Sequence, residues 1–300
     1  MGEHGGDVMD PLIDEGFLRR LSRLRFITKG RRASSLSGAH PSPRAGVSLE
    51  FADYREYTPG DDFRYIDWNI VGRLDRVLVK TFVHEVDLPI YLLVDLSASM
   101  HLGSVPKVRY AARLAAALAY LGLRNLDRVG LYPFTDHLLP SVSPRHGMQQ
   151  MSRILRALRD VSASGTTSLD LVLREFSHRT HETGLLFLIS DFLVGGQYQE
   201  GVARLAYRGD EIVAIQIVDR EEINPTVTGG VRLVDVETGR RLDLIVGERT
   251  LTQYRGRFDS HLKTLQRYLS SQRIPHILAP TDLALEELIH VRLRAQGIVQ

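Results

Sequence analysis

One short apolar run constrains the fold of this chain more than any other feature. It spans residues 88–94 (Leu-Pro-Ile-Tyr-Leu-Leu-Val) and stops abruptly at Asp95-Leu-Ser-Ala-Ser99. An aliphatic and β-branched run of this length, bounded by polar residues, is typical of a strand buried on both faces, as in a parallel sheet. We therefore predict a parallel α/β sheet that contains this strand.

The carboxyl end of the predicted strand is a candidate metal site, because ligands collect outside the carboxyl ends of strands in open α/β sheets. Asp95, Ser97 and Ser99 alternate, so an extended loop could aim all three the same way. Their hard oxygens suit Mg²⁺ or Mn²⁺ and do not suit a soft metal. Three donors are too few for an octahedron, so other loops, water or a partner must supply the rest. The alternative is a strand-to-helix turn in which serine or aspartate caps a helix.

The rest of the chain alternates strand and helix patterns. Further strands are predicted at 129–134, 185–190, 211–218 and 276–279, with helical patterns at 104–121, 149–158, 168–176, 197–207, 250–272 and 282–294. Strands separated by helices imply parallel crossovers, and thus a doubly wound, mostly parallel sheet with helices on both faces. Two alternating runs about Glu237-Thr-Gly239 predict a hairpin inserted at about 229–247.

Composition sets the class of protein. With 300 residues, 43% hydrophobic and 25% charged, the chain can bury a sizeable core. It has no cysteine, which excludes a disulfide framework and a thiolate zinc site and fits a reducing compartment. No apolar run is long enough to cross a bilayer and no secretion signal is evident, so we expect a cytoplasmic protein without a membrane span. A net charge of +2 gives no clear indication of nucleic-acid binding.

Two segments precede the α/β domain, which we place at 88–300. Residues 1–45 combine a basic helical pattern between Pro11 and Phe26 with a loop-like stretch at 33–44. The basic residues are Arg19, Arg20, Arg23, Arg25, Lys29, Arg31 and Arg32. They form either a solvated helix face or an arm that contacts phosphate, a membrane or an acidic protein. Residues 46–87 are rich in charges and aromatics, and we expect them to pack on the core.

The charged segment itself has two interpretations. It contains Glu50, Asp53, Arg55, Asp61, Asp62, Arg64 and Asp67. The acids could form a metal site for nuclease chemistry, or the segment could be an ion-pair network. Interleaved arginines would neutralise the acids, which favours the network. We interpret Trp68 as a packing anchor.

Several catalytic motifs are missing from the sequence. Neither G-x-G-x-x-G nor G-x-x-x-x-G-K-[ST] occurs, so nucleotide binding is not expected. Ser97 stands where a haloacid-dehalogenase-type phosphatase would need a second aspartate, and it lacks the G-x-S-x-G frame of a serine hydrolase. The 11 histidines are scattered, without H-E-x-x-H. We therefore expect a site that binds a hard cation without enzymatic activity.

The pattern Asp95-x-Ser97-x-Ser99 resembles the metal-ion-dependent adhesion site of von Willebrand factor A (vWA) domains. The glycine–threonine loop of that family is matched at residues 164–168, and its later strand-end aspartate is matched after residues 185–190. The resemblance implies a Mg²⁺ site, or a Mn²⁺ or Ca²⁺ site, formed by Asp95, Ser97, Ser99, Thr166 and Asp191. In such domains the hydroxyls bind the metal directly, the aspartates bind through water, and a partner's carboxylate completes the coordination. Asp191 could instead cap the next helix.

A longer string adds a second resemblance. Glu50-Phe-Ala-Asp-Tyr-Arg-Glu-Tyr-Thr-Pro-Gly-Asp-Asp-Phe-Arg-Tyr-Ile-Asp-Trp68, followed by Arg73 and Val79-Lys80, is similar to the hallmark of the bacterial family called domain of unknown function 58. Members carry it just ahead of a vWA-like domain and are typically encoded beside MoxR-type AAA+ ATPases. Some are membrane-anchored, and this sequence shows no hydrophobic anchor.

These observations lead to one prediction and two alternatives. We predict a non-enzymatic, metal-dependent adaptor that engages a protein partner, a MoxR-type ATPase by resemblance, in the assembly or maturation of other proteins. The first alternative is a metal-dependent hydrolase, a nuclease or phosphatase, in which Glu50, Asp53, Asp61 and Asp62 join Asp95. The second is a scaffold whose metal site is vestigial.

Overall fold

The computed structural model describes residues 15–21, 23–27, 49–59, 61, 63–74, 76–84, 89–159, 162–193 and 197–300, with the backbone alone at 15, 18, 49–53, 65, 74 and 80–84. Contacts divide the chain into two units. The larger unit joins the chain up to Ile27 with the chain from Leu88 onward, and the smaller unit spans residues 28–87.

The described residues form strands in both units, numbered here in chain order. They are β1 (Leu49–Glu56), β2 (Leu78–His84), β3 (Ile90–Asp95), β4 (Val129–Phe134), β5 (Val142–Arg145), β6 (Leu185–Ser190), β7 (Glu211–Val218), β8 (Gly229–Val234), β9 (Arg241–Val246) and β10 (His276–Pro280). The larger unit has a six-stranded sheet in the order β10-β7-β6-β3-β4-β5. Every pairing in it is parallel except that of β5 with β4. This is the 3-2-1-4-5-6 order of doubly wound folds, in which the direction of winding reverses beside β3.

The helices complete this architecture. They are α1 (Glu15–Leu21), α2 (Trp68–Leu74), α3 (Lys107–Arg124), α4 (Gln149–Arg159), α5 (Leu169–Arg179), α6 (Gln199–Arg208), α7 (Arg220–Ile223), α8 (Glu248–Ser271) and α9 (Leu285–Glu287), which continues as a π-helix over Leu288–Leu293. Helices α1, α3, α4 and α9 pack on one face of the sheet, and α5, α6 and α8 pack on the other.

Strand β3 shows why the sheet needs helices on both sides. All six of its residues are buried. Leu92 and Val94 belong to the apolar cluster of one face, and Tyr91 and Leu93 belong to that of the other. Alternate side chains of a strand point to opposite faces, so an uninterrupted apolar run requires two covering layers. The predicted fold class, a doubly wound and mostly parallel α/β sheet, is confirmed.

Helix α3 is longer at its carboxyl end than the sequence predicted. The helical pattern covers 104–121, whereas the helix spans Lys107–Arg124 and passes through Gly122. A Cβ atom at Gly122 would lie 2.7 Å from Ile90 Cδ1 and 2.8 Å from Val129 Cγ2. Gly122 therefore serves the close approach of the helix to β3 and β4.

The predicted hairpin insertion is confirmed. Strands β8 and β9 pair antiparallel, from Gly229 opposite Val246 to Val234 opposite Arg241. Arg232 Nε lies 2.7 Å from Asp243 Oδ1 across the two strands. Most hairpin side chains are exposed, so the hairpin projects from the core of the larger unit.

The N-terminal helix belongs to the larger unit. Phe17 and Leu21 of α1 are buried, as are Leu24 and Phe26 beyond it, while Arg19, Arg20 and Arg23 are exposed. The backbone N–H of Ile27 donates to Ile298 O at 2.8 Å, and Phe26 forms an antiparallel bridge with Val299. Lys29, Arg31 and Arg32 of the predicted basic arm and the loop at 33–44 lie outside the described residues.

The smaller unit contains the antiparallel pair β1–β2 and helix α2. The Tyr54 hydroxyl donates to Asp67 Oδ2 at 3.0 Å, which ties β1 to the start of α2. The predicted packing of residues 46–87 on the core stays a prediction. Within the described ranges, no helix combines the length and apolar character that crossing a membrane would require.

Candidate metal centre

Two loops meet at the carboxyl end of β3. The Ala98 N–H donates to Gly165 O at 3.0 Å, and the Ser164 N–H donates to Leu96 O at 2.8 Å. These bonds join the loop after β3 to the loop before α5. The neighbouring strand β6 ends at the same edge, immediately before Asp191. The fold thus gathers three separate segments at the reversal point of the sheet, where doubly wound folds bind ligands.

Asp95 is the buried centre of this region, with no exposed surface. Its Oδ1 accepts from the Ser97 N–H at 2.9 Å and from the Thr167 hydroxyl at 3.1 Å. Its Oδ2 accepts from the Ser190 hydroxyl at 2.6 Å. Burial raises the pKa of Asp95 to about 6, and the charge of Asp191 acts in the same direction, while the hydrogen bonds from Ser190 and Ser97 oppose them. These contacts let Asp95 orient the surrounding hydroxyls.

Ser97 and Ser99 lie side by side, with 3.1 Å between their Oγ atoms. Adjacent ligands of an octahedral Mg²⁺ ion with bonds of 2.0–2.1 Å are separated by about 3 Å, so this spacing fits two neighbouring positions of one ion. In the portion of the chain that the structure describes, no group of three or more His, Cys, Asp or Glu side chains could hold a metal. The donors that fit a cation here are therefore mainly hydroxyls.

The threonine beside Asp95 is Thr167, not its neighbour Thr166. The Thr167 side chain reaches Asp95, whereas Thr166 is exposed. The structure brings Asp95, Ser97, Ser99 and Asp191 of the predicted set to the same edge of the sheet, and the side chain of Thr166 is exposed. Metal binding by these residues stays a prediction.

Asp191 pairs with a buried lysine. Lys107 has no exposed surface, and its Nζ lies 2.8 Å from Asp191 Oδ2 and 2.5 Å from Glu222 Oε1. Burial lowers the pKa of Lys107, but the two carboxylates outweigh this effect and raise it. The sequence interpretation missed Lys107, because nothing near position 107 indicates a partner 84 residues away.

The backbone after Asp191 is held in an unusual conformation. Phe192 is fully buried and has φ of +53°, a left-handed value that costs free energy for a non-glycine residue. The Ser190 hydroxyl accepts from the Phe192 N–H at 3.0 Å, and Gln216 Nε2 donates to Asp191 O at 2.9 Å. These bonds fix the position of the Asp191 side chain at the strand end.

The turn of the hairpin carries a further acid. Glu237 lies in the turn between β8 and β9 and is partly buried. Burial raises the pKa of Glu237, and the charges of Asp191 and Asp235 act in the same direction. The sequence marks this position only as a hairpin turn.

The charged segment of the smaller unit contains the predicted ion pairing. Arg55 and Asp61 form a bidentate pair, with distances of 2.7 Å and 2.6 Å. Asp61, one of the four acids that the hydrolase alternative assigns to the metal, is therefore paired with an arginine. The side chains of the other three, Glu50, Asp53 and Asp62, lie outside the described residues. The interpretation of Trp68 as a packing anchor is wrong, because its side chain is 65% exposed.

The architecture defines the class of protein: a doubly wound, mostly parallel α/β domain with an antiparallel edge strand and an inserted hairpin. Residues 53–267 match the family described as "Protein of unknown function DUF58", and the chain belongs to this family.

Similar proteins include uncharacterized proteins of Mycobacterium bovis (Mb1516) and Mycobacterium tuberculosis (Rv1480). Each is 27% identical over 239 residues, which cover 78% of this chain and 74% of the relative. Among solved structures, the conserved hypothetical protein BatB from Bacteroides thetaiotaomicron has a TM-score of 0.42 and 13% identity, covering 70% of this chain and 98% of that one. An aerotolerance-related membrane protein from Bacteroides fragilis has a TM-score of 0.36 and 17% identity, and the match covers 61% of this chain and 99% of that one.

Proposed function

We propose that this protein is a non-enzymatic docking module that binds a divalent cation at the carboxyl end of β3 and presents it to an acidic side chain of a protein partner. The observation that carries the proposal is the pair Ser97 and Ser99, whose Oγ atoms are 3.1 Å apart beside the buried Asp95. Ser97, Ser99 and Thr167 would hold the cation directly, and Asp95 and Asp191 would hold it through water.

The donor set supports docking rather than hydrolysis. Neutral hydroxyls leave much of the charge of a cation uncompensated, so a bound Mg²⁺ would attract a further carboxylate. Asp191 is neutralised by Lys107, and Asp95 accepts hydrogen bonds at both of its oxygens. Neither acid is therefore available as a general base, which a hydrolase would need.

We assign a MoxR-type AAA+ ATPase as the partner from the family resemblance, and a cytoplasmic role in the assembly or maturation of other proteins. The motifs that bind nucleotides are absent from this sequence, so the ATPase activity would belong to the partner.

Metal binding is tested by thermal unfolding and titration calorimetry of the whole chain with Mg²⁺ or Mn²⁺. At 100 times Kd a ligand of the native state contributes about 2.7 kcal/mol, which raises Tm by about 5–10 °C for a domain of this size. The Ser97→Ala/Ser99→Ala double variant should lose this shift, because it removes two direct ligands. Ser141→Ala, in an exposed loop, is the matched control and should keep it.

Docking is tested by capture of a purified MoxR-type ATPase with and without EDTA, in the wild type and in Asp95→Asn. Capture that requires the metal and Asp95, without turnover in nuclease and phosphatase assays containing Mn²⁺, is the expected result. If the ATPase is captured equally with and without EDTA, and equally by the wild type and by Asp95→Asn, the protein is a scaffold with a vestigial metal site. Turnover that disappears in Asp62→Ala would indicate a hydrolase instead.

A further inference from the structure

A lysine without exposed surface lies at the edge of the candidate metal centre. The Nζ atom of Lys107 lies 2.8 Å from Asp191 Oδ2 and 2.5 Å from Glu222 Oε1. A lysine is almost never fully buried unless its charge is paired, so the fold holds this ammonium in one place. Its positive charge therefore acts on whatever binds at this edge of the sheet.

The loop that carries the serine pair also positions Lys107. The Leu102 N–H donates to Ser99 O at 3.2 Å, and the Lys107 N–H donates to Leu102 O at 3.3 Å. Two backbone hydrogen bonds thus connect the second serine to the lysine. Because the two carboxylates hold the far end of its side chain, both ends of the lysine are fixed.

Asp191 connects the lysine to the other side of the centre. It directly follows Ser190, whose hydroxyl donates to Asp95 Oδ2 at 2.6 Å. Asp191 Oδ1 accepts from the Leu193 N–H at 3.2 Å, and its Oδ2 accepts from the ammonium of Lys107 at 2.8 Å. The ammonium is therefore in contact with one of the two aspartates that would hold the cation through water.

Glu222 compensates the ammonium only in part. Its side chain is 17% exposed, so water screens its charge more than that of Asp191, which is 3% exposed. Its Oε2 also accepts from the Asp219 N–H at 2.8 Å, as part of the cap of α7. Part of the positive charge of Lys107 therefore remains to act on Asp191 and on a cation beside it.

The charge of a loaded centre follows from these groups. A divalent cation brings two positive charges and Lys107 brings one, against one negative charge on each of Asp95 and Asp191. A positive charge is then left at the centre, whereas the two aspartates alone would neutralise the cation. Because like charges repel and opposite charges attract, the ammonium disfavours the bare cation and favours an added carboxylate.

We infer that Lys107 selects the partner group of the docking site: its ammonium weakens binding of the bare cation and strengthens binding of an acidic side chain to the loaded centre. This inference rests on the proposed function and names the partner chemistry as a single carboxylate, which neutralises the remaining positive charge. The cation and the acidic partner then strengthen each other's binding.

The inference is tested on the whole chain, with Mn²⁺ as the metal and acetate as the carboxylate probe. Electron paramagnetic resonance measures free Mn²⁺ and gives its Kd, and water-proton relaxation of the bound ion reports the replacement of water by acetate. Lys107→Met should lower the Kd for Mn²⁺ about tenfold and raise the acetate concentration for half-maximal replacement about tenfold, because the neutral side chain leaves both aspartates to the cation. Replacing a lysine that serves only the fold would weaken the binding of both.

Glu222→Gln keeps the test decisive if Lys107→Met does not fold. It frees the ammonium from one carboxylate, so both shifts should have the opposite sign, with Mn²⁺ bound about threefold more weakly and acetate about threefold more tightly. Glu221→Gln, the same change at the preceding and exposed residue of α7, is the matched control and should bind both as the wild type does.

Two results would overturn the inference and leave the docking site standing. One is equal binding of Mn²⁺ and acetate by the wild type, Glu222→Gln and Glu221→Gln. The other is weaker binding of both by a folded Lys107→Met. If the wild type does not bind Mn²⁺ at all, the proposed function is overturned as well.

Discussion

Lys107 is the residue whose environment most depends on the complete fold. It lies at the start of α3, yet its two carboxylate partners are Asp191, at the end of β6, and Glu222, in α7. A buried charge of this kind is tolerated because it is paired, and removing one partner leaves the others buried without compensation. The trio therefore holds three separate elements at the edge of the site.

Lys107→Met should lower the free energy of unfolding by about 3–5 kcal/mol, because it leaves Asp191 without its counterion. Urea denaturation at pH 7 measures the change. Lys263→Met, the same substitution at an exposed position of α8, should change stability by less than about 0.5 kcal/mol. Equal stability of the two variants would show that the ammonium contributes little to the fold.

The part of the candidate site that could be read from the sequence is the part whose arrangement is local. Asp95 ends β3 and Ser97 and Ser99 follow it, so their alternation already indicates a common direction. Thr166 and Thr167 are adjacent, and the conformation of the loop, with Gly165 at φ of +77°, decides which one meets Asp95. A sequence pattern does not show which of two adjacent loop residues contacts a given side chain.

At the scale of the element, the end of β7 is fixed by one aspartate. Asp219 accepts from the Glu221 N–H at 2.9 Å and from the Thr281 hydroxyl at 3.0 Å, and it also accepts from the Ser104 N–H at 3.2 Å. It therefore caps α7 and joins the segment after β10 to the segment before α3. Burial raises the pKa of Asp219, but the hydrogen bonds outweigh burial and lower it.

Asp219→Asn should lower the free energy of unfolding at pH 7 by about 1–2 kcal/mol, because the amide removes the charge and one of the two oxygens that accept hydrogen bonds from Glu221, Ser104 and Thr281. A pKa lower in the folded than in the unfolded state means that the stabilisation is present above the unfolded value of about 3.9 and is lost as the pH falls through the folded value. The difference from the wild type should thus shrink below about pH 4. Denaturation at pH 7 and at pH 3.5 measures it.

Asp259→Asn, at an exposed position of α8, is the control and should unfold as the wild type does at both pH values. A constant difference between Asp219→Asn and the wild type across this range would contradict the role of the carboxylate charge.

Strands with a strong hydrophobic pattern could be predicted from the sequence, whereas the irregular edge strand of the sheet could not. The apolar runs of β3, β6 and β7 and the alternating runs of the hairpin were assigned correctly, because burial leaves a direct pattern in the sequence. No complete strand was predicted between 134 and 185, where the structure has a single bridge between Phe134 and Leu138 and a further strand. The edge strand is β5, whose Ser-Pro-Arg sequence gives little apolar signal.

At the scale of the whole molecule, the larger unit closes by joining its two ends. Phe26 is 3% exposed, its ring centroid lies 5.4 Å from that of Phe187, and its backbone pairs with Val299. The sequence showed the amphipathic pattern of this segment but not its partners, because a contact across most of the chain leaves no local signal.

Phe26→Ala should lower the free energy of unfolding of the larger unit by about 3–5 kcal/mol, because it opens a cavity beside Phe187. Phe63→Ala, at a side chain that is 65% exposed, should have an effect below about 1 kcal/mol. Chemical denaturation followed by circular dichroism compares the two variants. A small effect of Phe26→Ala would mean that the N-terminal segment is a loosely attached arm.

The outermost strands of the six-stranded sheet, β5 and β10, each contain a proline, Pro144 and Pro280. Proline has no N–H to donate, so neither border presents an unbroken row of donors to an incoming strand. Sheet extension by another polypeptide, and the aggregation that follows from it, are disfavoured at both borders.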